Sequence, residues 1–71
     1  MFFNEEWYIE FKKRSINAMI EINQEMILKY QKRLEAGSYS RCQKIFMETD
    51  IIRRTNEIIK LRNDYQLLGN I

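Results

Sequence analysis

In the first half of the chain, apolar residues recur at Ile9, Ile16, Met19, Ile20, Ile22, Met26, Ile27, Tyr30 and Leu34, with Phe11 and Ala18 at the edge of the same arc. Steps of three, four and seven residues gather them on one side of an α-helix, so the pattern predicts one long helix over about 5–36. The arc covers roughly half the circumference, wider than the ~100° stripe that one neighbouring element covers. The second half carries two rows side by side. Met47, Ile51, Ile58, Leu61, Tyr65 and Leu68 form one, and Ile45, Ile52 and Ile59 form the other. Within it the stretch IIRRTNEIIKLRN, residues 51–63, nearly repeats itself after seven residues, the period of helices that pack on helices.

The chain has little punctuation to interrupt these patterns: no proline, and only Gly37 and Gly69. Asn4 suits an N-cap, Glu5 and Glu6 follow it at the positive end of the helix dipole, and Phe3 with Tyr8 stands where a hydrophobic staple would sit. Gly37 can take the left-handed conformation that ends a helix, and Ser40 followed by Gln43 makes a capping box for a second helix over about 41–68. Thr49 or Asp50 could cap a separate third helix, so a break near 48–50 is the alternative to a continuous second helix. A short turn over 37–40 places two long helices antiparallel and adjacent. The expected fold is all-α, a single helical hairpin. Because each helix has more apolar surface than one neighbour covers, two hairpins are expected to dimerise into a four-helix bundle with two-fold symmetry. The expected dimer or bundle seam comprises Ile16, Met19, Asn23, Met26 and Tyr30 with Ile51, Ile52, Ile58, Ile59, Leu61 and Tyr65.

Two polar residues fall inside the apolar rows. Asn23 lies between Ile16 and Tyr30 in the same heptad position, and Arg54 lies between Met47 and Leu61. A buried amide there would select one register, because a slipped arrangement leaves it unpaired; at the edge of the seam it would simply reach water. Arg54 either lays its alkyl stem over the seam with its charge outward or binds a partner.

Composition narrows the chemistry. Seventy-one residues allow one small domain, and such a domain commonly draws stability from a disulfide, a metal or a second chain. A single cysteine, Cys42, cannot form an internal disulfide, and the absence of histidine removes the usual zinc ligand sets and the commonest general base. No Gly-rich phosphate loop or activated nucleophile is visible, so the chain reads as neither an enzyme nor a cofactor or metal carrier. Twelve Lys and Arg against ten Asp and Glu leave a net charge of +2, a weak attraction for phosphate or an anionic membrane. The apolar runs are short and the N-terminus carries acids where a signal peptide carries lysines, so the expected location is the cytoplasm.

Residues that a hairpin does not use are the candidates for recognition. Phe3, Trp7 and Leu28 fall on or near the polar side of the first helix, and Phe46 falls outside both rows of the second; with Arg54 they form the expected partner-binding set. The alternative for Phe2, Phe3 and Trp7 is a cap over the open end of the hairpin, near Tyr65 and Leu68. The expected function is a non-enzymatic protein-binding regulator or inhibitor, of the kind phages and other mobile elements encode. Its general architecture is like that of small plasmid and phage regulators built from dimerised helical hairpins, an analogy of fold without any residue-level match. Two alternatives stand beside it: a dimeric nucleic-acid-binding regulator using Arg41, Lys44 and Arg62, and a small structural subunit of a larger assembly.

Overall fold

The first helix, α1 (Glu5–Ala36), stops where Gly37 turns to a φ of 74° and its N–H reaches back to the Arg33 carbonyl at 3.3 Å. That left-handed residue satisfies one of the carbonyls a helix end leaves open, at little conformational cost because glycine has no Cβ. Three residues later the next helix is already capped. The Ser40 Oγ accepts from the Gln43 backbone N–H at 3.2 Å, and the Gln43 Oε1 accepts from the Ser40 N–H at 2.9 Å. This reciprocal box starts α2 (Arg41–Gly69).

The computed structural model describes residues 5–69. Asn4, Phe3 and Phe2, assigned above to a cap, a staple and an end cover, lie outside them. Helix α2 passes through Glu48, Thr49 and Asp50 without a break, so the described residues form two helices and no third. Asp50 does not cap a new helix because its carboxylate is engaged elsewhere, as described below. The two helices pack along each other in a rod of 55 × 17 × 17 Å.

The inner seam of α1 alternates in steps of three and four through Ile9, Lys13, Ile16, Ile20, Asn23, Ile27, Tyr30 and Leu34, all buried or half-buried. Opposite it, Met47, Ile51, Arg54, Ile58, Leu61, Tyr65 and Leu68 do the same on α2. Only Ile16, Met47, Ile58 and Leu61 among the described apolar residues are buried, and none of them completely. Two helices side by side cannot enclose more, because each offers the other a single stripe. At the open end, Lys13 keeps a seam position by setting its ammonium over the Tyr65 ring, 5.5 Å from the centroid.

Candidate functional site: a buried polar network between exposed apolar faces

Midway along the hairpin the apolar seam gives way to a hydrogen-bonded cluster centred on Asp50, which is 9% exposed. Tyr30 on α1 donates its hydroxyl to Asp50 Oδ2 at 2.8 Å, and Arg54 Nε donates to the same oxygen at 2.9 Å. The other carboxylate oxygen, Oδ1, receives Arg53 through Nε and Nη2, both at 2.8 Å. Arg54 then crosses to α1, donating from Nη1 to Asn23 Oδ1 at 2.8 Å. Helical spacing explains half of this arrangement: Arg53 and Arg54 follow Asp50 by three and four residues and so share its face. The other half is tertiary, since Tyr30 and Asn23 lie across the hairpin. No buried side-chain nitrogen or oxygen among the described residues lacks a hydrogen-bond partner.

The cluster decides how these groups titrate. The Arg54 hydrogen bond, then that from Tyr30, outweigh burial and hold the Asp50 carboxyl down at about 2. Tyr30 is pushed above its ordinary value, chiefly because its proton is held on Asp50. A carboxyl whose folded value lies below its unfolded one stabilises the fold above about pH 4, and that contribution is lost as pH falls toward 2. For Tyr30 the sign is opposite: its contribution is present below the ordinary tyrosine value near 10 and is lost as pH rises above it. Urea midpoints followed by circular dichroism are therefore expected to form a plateau between about pH 4 and 10 and to fall on both sides. In Asp50→Asn the acid-side fall should shrink; an unchanged acid limb would mean that Asp50 does not govern it.

Sequence reasoning singled out Asn23 and Arg54, and the structure brings those two together. It missed the centre, Asp50, which the sequence offered only as a helix cap. The signal available was its spacing to Arg53 and Arg54, and nothing in the chain announced Tyr30 as the fifth member.

Among the other predicted residues, Met26, Ile51 and Tyr65 are half-buried in or beside the seam, whereas Met19, Ile52 and Ile59 point outward. Trp7, Leu28 and Phe46 are all more than half exposed, and Phe46 sets its ring edge-on to Tyr30 at 6.4 Å. Trp7 stacks on Phe11 at 5.6 Å, one turn along. Arg41, Lys44 and Arg62 are exposed; the first two are one turn apart, but Arg62 lies about 30 Å further along α2. One hairpin therefore does not gather these three cations.

Two open clefts flank the network. The one near the turn, about 390 Å³, is lined by Tyr30, Arg33, Cys42, Gln43, Phe46 and Met47. The one toward the open end, about 420 Å³, is bordered by Tyr8, Lys12, Ser15 and Met19 on α1 and by Leu61, Asp64, Leu67 and Leu68 on α2. Cys42 is an exposed free thiol. Among the described residues there is no group of three or more Cys, Asp or Glu side chains arranged to hold a metal ion, and no helix long and apolar enough to cross a membrane. The chain matches no family model, and neither a curated protein nor a solved structure is significantly similar to it.

Proposed function

We propose that this chain is a non-enzymatic protein-binding regulator or inhibitor, working as a dimer of hairpins and recognising its target through the apolar rows left on the outside of the helices. One observation carries the reading. Eleven large apolar side chains among the described residues are 40% exposed or more, while only four apolar residues are buried. Scattered exposed apolar residues are ordinary, but a surplus aligned along helices marks an interaction face. The row Ile45, Ile52 and Ile59, at 57, 63 and 54% exposure, spans two helical heptads on α2. Phe46, at 62%, stands beside it at the mouth of the cleft near the turn.

The dimer is tested by light scattering over a range of concentrations, with a mass of twice 8.8 kDa expected. Target recognition is tested with immobilised chain. Proteins retained by the wild type are expected to be lost from Ile52→Asp and Phe46→Ala, whose side chains are exposed and whose helicity should be unchanged. Equal retention by both variants would remove the α2 row from the proposal. Salt-sensitive binding to duplex DNA or RNA, abolished by changing Arg41 and Lys44, would instead favour a nucleic-acid regulator.

A further inference from the structure

We infer that a second copy of the chain packs antiparallel on a face of α1 that α2 does not cover, about a two-fold axis passing between residues 16 and 17. The inference rests on the dimer proposed above and names its surface. Behind the inner seam, α1 carries a second row in steps of three and four: Tyr8, Phe11, Ser15, Ala18, Ile22 and Glu25. None of these is buried in the hairpin. A helix with apolar rows on two sides belongs between two neighbours, and α2 supplies only one.

The row is self-complementary in one register. In antiparallel packing about that axis, Phe11 meets the partner's Ile22, and Ser15 meets the partner's Ala18, each pair occurring twice by symmetry. Small side chains at the centre let the helix axes approach, and large ones fill the space toward the ends. Along one flank Trp7 reaches the partner's Leu28, and Arg14 faces the partner's Glu21. At the ends, the Tyr8 hydroxyl comes opposite the carboxylate of the partner's Glu25. Sliding by one heptad either way sets Arg14 against the partner's Arg14 or Glu21 against the partner's Glu21, so charge selects this register.

Two features of the surface fit a helix as the occupant. All six α1 side chains that are large, apolar and at least 40% exposed (Trp7, Tyr8, Phe11, Met19, Ile22 and Leu28) fall on this face or its flanks. Trp7, Glu10, Phe11 and Arg14 enclose a depression of about 60 Å³. Their spacing of i, i+3, i+4 and i+7 is that of a hole that receives a knob from a facing helix. The arrangement leaves the Ile45–Ile52–Ile59 row of α2 uncovered for a target.

The test is sedimentation equilibrium on the full chain and on Arg14→Glu, Glu21→Arg and the double variant, with circular dichroism as a check that all four are folded. Each single change removes two attractive pairs and creates two repulsive ones, and is expected to raise the dimer Kd about tenfold. The double variant restores opposite charges and should return within a few-fold of wild type. In a Cys42→Ser background, a mixture of Ser15→Cys and Ala18→Cys chains is expected to form an interchain disulfide faster than either chain by itself. A dimer indifferent to the charge changes and to the cysteine mixture would overturn this face while leaving self-association standing. A chain that stays monomeric at every concentration would overturn both.

Discussion

Replacing Asp50 by alanine is expected to destabilise the hairpin by about 3–5 kcal/mol, enough to melt much of it at room temperature unless dimerisation compensates. The carboxylate accepts from Tyr30, Arg53 and Arg54 within 2.8–2.9 Å and is the only acid in the cluster. Removing it leaves the Arg54 guanidinium, whose side chain is 19% exposed, without its ionic partner and beside the neutral side chains of Asn23 and Tyr30. A charge taken out of water is tolerable only while it is paired, so breaking the pair costs more than the pair itself contributes. Arg53, at 66% side-chain exposure, should matter far less, and Arg53→Ala is expected to cost under about 1 kcal/mol. Thermal melts of the two variants decide the point. A loss below about 1 kcal/mol for Asp50→Ala would mean that water replaces the carboxylate without penalty and that the cluster does not hold the helices together. Replacing Tyr30, Asn23, Asp50 and Arg54 together by Phe, Leu, Leu and Leu should recover the lost stability, because the unpaired charge disappears with its partners.

The second large effect is expected at Leu61, which is 6% exposed and one of four buried apolar residues among those described. Leu61→Ala should cost about 2–4 kcal/mol, since the deleted methyl groups lose their burial and a rod of two helices has few other side chains to close the gap. Ile52→Ala deletes a similar amount of carbon from a side chain that is 63% exposed, and should cost under about 0.5 kcal/mol in the isolated hairpin. The contrast is measured by urea denaturation at low protein concentration. Equal losses at the two positions would mean that Ile52 is covered in solution, by a second copy or by the opposite helix in another register.

Much of the hairpin is legible in the chain because its signals are local. Gly37 and the Ser40–Gln43 pair act on backbone groups within four residues of themselves, so the turn can be read without knowing what packs where. The inner seams are equally readable, since helical periodicity alone assigns Ile16, Ile58 and Leu61 to the same side as their neighbours. The width of the apolar arc on α1 was also visible. Which part of it meets α2 was not: Ile22 and Met19 belong to the same arc as Ile16, yet they stay 56 and 47% exposed. Periodicity ranks positions around one helix and says nothing about the rotation at which another helix meets it.

The polar cluster marks the same boundary from the other side. Asn23 and Arg54 stand out in sequence because each interrupts an apolar row, and interruption is a property of one helix. Asp50 interrupts nothing. Its position at the edge of the α2 seam would suit an exposed acid or a helix cap, and it becomes the buried centre only because Tyr30 and Asn23 arrive across the hairpin, 20 and 31 residues away from their partners Asp50 and Arg54. Sequence by itself therefore determined two long amphipathic helices, the turn between them and a surplus of apolar surface, all consequences of interactions within about one turn of the chain. Tertiary structure decided the rotation of the helices about their axes, and with it which acid was buried, which arginine was paired and which apolar rows remained outside. Those choices depend on distances between groups that only the packing of α1 against α2 sets.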